Sequence, residues 1–456
     1  MKERLLLLFI IVGLVTFIYV FQSYTDWGLS ILVFLMFLYA LFTNIAFKIK
    51  ERKKLKTPPI INHNYKPFVS IMIPAHNEEA VIEKTVETVL ALDYPCFEVI
   101  VIDDRSSDNT FSVLRDLEQK YQGKVIALSR DKDAFPGKSA VLNDALKIAK
   151  GEAILVFDAD ATMDSDFLTK LVRELEPKDV GAVQARKVIR NKDVNLLTRC
   201  QNNEMTIDSH FQVGRDSVKG AVELRGNGEL IKRTALEDIG GWNNYTITDD
   251  LDMSTRLHIK GWDVRFCVDT VVYEEGIIYL FPLYKQRRRW LEGTIRRYLE
   301  YFWEILTSKK MSMKVRVDMI VYISEFIMPA WFIIELGILI YKIILQGAQV
   351  NVLMSSVIMG IIIGIGFLMA CRYSLREYDH VKGADATIQS VYTAVYLLII
   401  WFPLVLFIGT KILFMKKDMN WGKTAHGLVQ HEHAIQRAKE KIRKAKDELK
   451  KLLQTK

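Results

Sequence analysis

"FEVIVIDDRSSDNTFSVLRDLEQKYQGKVIALSR", residues 97–130, decides the fold. It opens on an apolar run, turns through polar residues, and continues with apolar positions at helical spacing. A second apolar run closes it, so the stretch reads as strand, helix, strand. The same rhythm extends outward. "FVSIMIPAHN" (68–77) and "AILVFDAD" (153–160) read as further strands. "EEAVIEKTVETVLAL" (78–92) and "KSAVLNDALKIAK" (138–150) read as helices between them. Such alternation predicts an α/β domain with a mostly parallel sheet flanked by helices. In sheets of this kind ligands bind beyond the carboxyl ends of the strands.

Acidic residues fall at those ends. Asp103 and Asp104 close one strand, and Asp158 and Asp160 close another. Ala75, Asn77 and Glu78 lie at the edge of the first strand and are expected, with Asp158, to contact a nucleotide. Lys138 stands just inside a helix start, in reach of a nucleotide. Hard carboxylate oxygens such as those of Asp158 and Asp160 suit Mg²⁺ or Mn²⁺ bridging to a diphosphate. No GxGxxG follows the first strand and no Walker A loop occurs, which argues against dinucleotide-binding and P-loop readings. A third acid group lies in "YTITDDLDMSTRLHIKGW" (245–262). A helix is expected from about Thr248 with Gly261 as its stop. Asp249 and Asp250 then occupy its first turn, where the helix dipole favours carboxylates.

The chain has 456 residues, half of them hydrophobic and a quarter charged, with net charge +8. Apolar spans joined to a soluble domain explain that mixture. The basic charge lies beside apolar runs, which suits an anionic membrane surface rather than nucleic acid. Cys96, Cys200, Cys267 and Cys371 form no CxxC pair, so neither a zinc site nor a disulfide frame is expected.

"LLLLFIIVGLVTFIYVF" (5–21) and "WGLSILVFLMFLYALFTNIAF" (27–47) predict a transmembrane hairpin over 1–47. Lys2, Arg4 and the run "KIKERKKLK" (48–56) flank it, placing both ends in the cytoplasm. A cytoplasmic domain is expected over 48–280, then an amphipathic interface segment over 281–316. Further spans are expected within 317–415, near 318–345, 352–371 and 389–414, followed by a basic cytoplasmic tail, 416–456. Three spans would leave that tail outside, whereas its lysines argue for inside. A broken or re-entrant segment around Pro329 or Pro403 would reconcile the two. Residues 428–453 read as a charged helix.

The interface segment contains "QRRRW" (286–290). In order, "DD", "DAD", "TDD" and "QRRRW" between membrane segments resemble membrane-embedded family 2 glycosyltransferases. Members include cellulose, hyaluronan and poly-N-acetylglucosamine synthases. The resemblance covers about 66–300 and the flanking spans. It implies an inverting enzyme with a GT-A domain inserted between transmembrane helices of a bacterial-type plasma membrane. Its donor would be a nucleotide sugar, usually a UDP-sugar. It implies that Asp103 and Asp104 contact the nucleotide and that Asp158 and Asp160 are the DxD pair, with Asp160 the direct ligand of Mg²⁺ or Mn²⁺. Asp250 matches the catalytic base, although Asp249 stands where the family has glutamate. Gln286, Arg289 and Trp290 match QxxRW, a clamp on diphosphate and acceptor sugar. Arg287 and Arg288 match nothing and are expected to be mild lipid-headgroup anchors. "RGNGEL" (225–230) lies where the family builds part of its acceptor site.

The leading expectation is a processive synthase of a β-linked polysaccharide. The alternative is a glycolipid synthase, since "TDDLD", "YEEG" (273–276) and "RRRWLEG" also resemble bacterial glucosyl-lipid synthases. A non-catalytic membrane scaffold would have lost the carboxylates, and they are all present. Expected partners are the nucleotide sugar, a polysaccharide or lipid acceptor, membrane lipids and, compatibly, an accessory subunit, but no nucleic acid.

Overall fold

A computed structural model of the chain describes residues 2–24, 28–56, 62, 64–346, 354–415 and 417. Two long helices come first, α1 (Lys2–Tyr24) and α2 (Gly28–Lys56). The expected hairpin thus becomes helical throughout its described residues, and α2 carries the basic run to its end.

The next segment builds half of a sheet. Strands β1 (Val69–Ala75), β2 (Phe97–Asp103), β3 (Val125–Ser129) and β4 (Ala153–Val156) alternate with α3 (Ile82–Leu90), α4 (Thr110–Lys120) and α5 (Lys138–Leu146). β1 pairs in parallel with both β2 and β4, and β2 with β3. Helices cover both faces of such strands, so their residues are apolar without alternation. Ile71, Ile73, Val99 and Val101 point into one core, and Met72, Ile100 and Ile102 into the other. All are fully buried, each contributing roughly 1.5–3 kcal/mol relative to exposure.

The other half departs from the expected mostly parallel sheet. It comprises β5 (Thr162–Met163), α6 (Phe167–Leu175), β6 (Val180–Ile189), α7 (Leu196–Ser217), β7 (Glu229–Lys232), α8 (Arg233–Asp238), α9 (Asp249–Lys260) and β8 (Asp263–Glu274). β7 runs antiparallel to both β4 and β6, and β5 antiparallel to β8, while β6 and β8 are parallel. The eight strands form one mixed sheet in the order β3-β2-β1-β4-β7-β6-β8-β5. The physical reason is the loop ahead of β7. Gly226 and Gly228 both take positive φ, which lets the chain reverse tightly into an antiparallel strand.

After the sheet come α10 (Leu280–Glu300), α11 (Phe302–Thr307), α12 (Met313–Gln346), α13 (Met354–Tyr378) and α14 (Gly383–Phe414). The last three fall on the expected C-terminal spans. Among the described residues one helix, Gly383–Phe414, is long and apolar enough to cross a membrane by length and composition. α14 passes through Pro403 without interruption, so no broken segment forms there. The charged helix expected over 428–453 lies outside the described residues.

Candidate active site

β4 delivers Asp158 and Asp160 to the strand ends, and α5 begins there at Lys138, after Gly137 in a positive-φ conformation. The Lys138 Nζ donates to Asp158 Oδ1 at 2.7 Å and to the carbonyl of Gly226 at 2.7 Å. Burial opposes its charge, but Asp158, Asp249 and Glu229 outweigh that and raise its pKa above the ordinary value. Lys138 is therefore a fixed cation between the DxD pair and the 225–228 loop. Asn227 fastens the same loop to the pair, accepting from the Asp158 amide at 3.2 Å.

That loop also faces the start of α9. A Cβ on Gly226 would sit 3.1 Å from Asp250 Oδ2. α9 starts and stops as its sequence predicts, with Thr248 at the N-cap and Gly261 left-handed at φ 92°. Asp250 accepts from the Leu251 amide at 2.8 Å. Burial, and then the neighbouring Asp249, push its pKa up to about 6. It keeps partial access to solvent through the cavity described below. Glu229 is fully buried, accepts from the Gly226 amide at 3.2 Å, and is pushed up to about 8, chiefly by burial. Glu229 was missed at the sequence level, although it sits inside "RGNGEL". Its signal was a charged residue opening a short apolar run.

α10 brings the QxxRW residues onto this centre. Gly293 makes the approach possible: a Cβ there would lie 2.4 Å from Thr248 Cγ2. Gly293→Ala should therefore push α10 off α9. We expect it to lower transfer at least about tenfold and to cost 1–3 kcal/mol of stability, the usual penalty of overpacking. Thermal melts and initial rates check both; a variant with unchanged rate and melting point would show that the contact is loose.

Within α10, Gln286, Arg289 and Trp290 line the cavity. Among the described residues no carboxylate pairs with Arg289. Arg287 corrects the sequence reading. It is only 1% exposed, not a surface anchor. Its Nε and Nη2 donate to Glu204 Oε2 at 3.2 and 2.7 Å, and Nη1 donates to Gln286 Oε1 at 2.6 Å. Its guanidinium lies 4.0 Å from the centroid of Trp290. Tyr396 and Trp401 of α14 donate to the same Glu204 carboxylate.

One cavity of about 580 Å³ joins these parts. Glu78, Lys138, Asp158, Asp160, Asp249 and Asp250 line it with the three α10 residues. Its other end reaches Tyr39 and Ala40 of α2, Tyr322 of α12, Phe367 of α13, and Leu397 and Trp401 of α14. Ala75, Asn77, Asp103 and Asp104 do not line it. Ala75 is buried in β1. Asn77 Oδ1 accepts from the Ser107 amide at 2.7 Å. Asp104 is fully buried and held by Arg105 and Arg130. Asp103 accepts from the Ser106 amide through Oδ2, and its buried Oδ1 has no partner among the described residues.

Residues 66–293 match the family described as "Glycosyltransferase like family 2". A beta-monoglucosyldiacylglycerol synthase of Trichormus variabilis is 37% identical over 79% of this chain and 76% of its own length. That of Synechocystis is 34% identical over 84% and 80%. A poly-beta-1,6-N-acetyl-D-glucosamine synthase of Staphylococcus epidermidis is 30% identical over 56% of this chain and 61% of its own. A mannosyltransferase of Pyrobaculum calidifontis, solved with GDP-Man and Mn2+, superposes with TM-score 0.55 at 19% identity. It covers 81% of this chain and 99% of its own, a likeness of fold. These matches overturn the expected polysaccharide product. The glycolipid synthases match at higher identity and over more of the chain than the polymer synthase.

Proposed function

We propose that the chain, which belongs to glycosyltransferase family 2, moves a hexose from a nucleotide sugar to the hydroxyl of a membrane diglyceride. The observation that carries this is the continuity of the cavity. It runs from the carboxylates and Lys138 to aromatic and apolar side chains of α2, α13 and α14. A diglyceride offers a hydroxyl to the polar end and acyl chains to the other. The membrane would hold α1, α2, α12 and α13, with the catalytic domain on the cytoplasmic face.

In this reading Asp250 removes the proton of the acceptor hydroxyl as that oxygen attacks the anomeric carbon. The bond from that carbon to the diphosphate oxygen breaks on the opposite face, so configuration inverts. The nucleoside diphosphate leaves with the bonding electrons. Arg289, with no carboxylate pairing it among the described residues, stabilises the developing charge. Lys138 keeps Asp158 in place. Asp249 Oδ2, buried without a partner among the described residues, is an acceptor available to the incoming lipid's polar group.

Asp158 and Asp160 would hold the Mg²⁺ or Mn²⁺, which supplies charge neutralisation at the diphosphate. Among the described residues no three His, Cys, Asp or Glu side chains gather around one point. That fits an ion held by one or two carboxylates, with substrate phosphates and water completing the shell.

The experiment incubates purified protein with radiolabelled UDP-glucose, other UDP-sugars in parallel, and diacylglycerol in mixed micelles. Label should enter the chloroform phase as a monoglycosyl lipid, and excess EDTA should suppress it. Nucleotide release with no label in that phase, for every donor tried, would overturn the lipid acceptor.

A further inference from the structure

The C-terminal helices raise a question of sidedness that their contacts answer. We infer that α14 lies along the membrane surface, clamped to the catalytic domain, and does not cross the bilayer. The inference rests on the membrane reading above. It goes against the helix's own composition, which is apolar enough for a span.

A crossing helix leaves a cytoplasmic domain at one end. α12 touches the domain near its start, where Asp318 pairs with Arg215 at 2.7 Å. α13 returns at its end, where the Tyr378 carbonyl accepts from Arg186 at 3.1 Å. The turn that follows is held as well, since Asp379 pairs with Lys192 and accepts from Asn202. α14 then keeps its contact along its length. Asn203 of α7 donates to Gln389 and Thr393. Tyr396 and Trp401 donate to Glu204 of α7. Lys411 pairs with Glu292 of α10 at 2.5 Å. Gln389 to Lys411 spans about 33 Å of helix, roughly the thickness of a hydrocarbon core.

α10 cannot be the crossing element that would rescue a spanning α14. Arg287 is bound to Glu204, Gly293 packs on Thr248, and Arg297 donates to Glu223 at 2.8 Å. All of α10 therefore lies on the domain, and α14 lies on α10. Lys411 also meets Glu292 beside Arg296, whose Nη1 donates to Glu3 at the start of α1. That start is the end of α1 assigned to the cytoplasm. Both ends of α14 are thus on one side.

Depth gives an independent reason. The Glu204–Arg287 pair contacts α14 at Tyr396 and Trp401, near its middle. If α14 crossed, that pair would sit near the bilayer midplane, where charges are costly. At the interface it meets no such penalty.

The helix has two faces to match. Thr393, Ile400, Leu404 and Ile408 are buried, whereas Val391, Val395, Leu398 and Ile399 are about half exposed or more. The occupant of the exposed face is the bilayer, continuous with the apolar faces of α1 and α13. Two crossings, α12 and α13, then follow the domain, and α14 ends at Phe414 on the domain's side.

The test fuses the full chain at its C-terminus to green fluorescent protein in one strain and to alkaline phosphatase in another. The first is fluorescent only in the cytoplasm, the second active only outside. Fluorescence with an inactive phosphatase is expected; an active phosphatase with dark fusion overturns the inference. Carbonate washing separates this from the reading beneath it. Release of the chain from washed membranes would sink the membrane reading itself.

Discussion

Exchanging Asp250 for asparagine is expected to cut transfer about 10²–10⁴-fold, the contribution of a positioned general base. The carboxyl faces the Gly226 backbone at the head of the cavity and is pushed up to about 6 by burial and Asp249. It works only deprotonated, so wild-type kcat/KM should rise with pH through about 6 and then level off. Glu229 is pushed up further, to about 8, chiefly by burial, so the limb near 6 is assigned to Asp250. Stability moves the opposite way. A carboxyl whose pKa rises on folding stabilises the fold while protonated, and that contribution is lost as pH climbs through the folded value. Near neutral pH the asparagine variant should melt no lower than wild type. Lost transfer in a fully stable protein assigns the effect to chemistry. A variant with wild-type kcat, or one that kept the limb near pH 6, would remove Asp250 from the role.

Why such a residue was legible, and others were not, follows from the range of the signals. Asp158, Asp160, Asp249 and Asp250 mark the end of a strand or the start of a helix, and those boundaries are written in local periodicity. The parallel half of the sheet was legible for the same reason: its strands are buried on both faces and read as unbroken apolar runs. β7 has four residues, with Glu229 and Lys232 at its ends, and its antiparallel pairing is set by glycines before it. Those glycines mark a turn in the sequence but not the direction in which the strand after it pairs. Long-range partners are equally silent. Arg130 closes on Asp104 from 26 residues away, and Lys138 reaches Gly226 across 88. The motifs left the acceptor open between a polymer and a lipid, because both make the same demands at the diphosphate end, and "YEEG" and "RRRWLEG" carried the lipid only as the alternative. In the proposed reading the far end of the cavity, assembled from α2, α13 and α14, distinguishes them, and those helices lie outside the motifs.

Arg287→Ala is the case in which that limit inverts an expectation. A surface anchor would tolerate the change. The buried guanidinium should not: removing one partner of a buried ion pair costs about 3–5 kcal/mol. Among the described residues Glu204 would be left with the neutral donors Tyr396 and Trp401. Gln286 would lose the donor that orients its amide, and Trp290 the nearer of two cations over its ring, leaving Lys187 at 5.8 Å. The expected outcome is a melting point many degrees lower, with transfer reduced even in the folded fraction. Arg287→Lys keeps the charge but not the planar fork, so it should recover only part of both. Glu204→Gln in the Arg287→Ala background should restore stability, because the orphaned charge is gone, without restoring the Trp290 stack. Arg289→Ala should behave in the opposite manner. Its side chain pairs with no carboxylate among the described residues, so the variant should melt like wild type yet lose transfer. Arg288→Ala should be mild in both measurements. A wild-type melting point for Arg287→Ala would return that residue to the surface and with it the anchor.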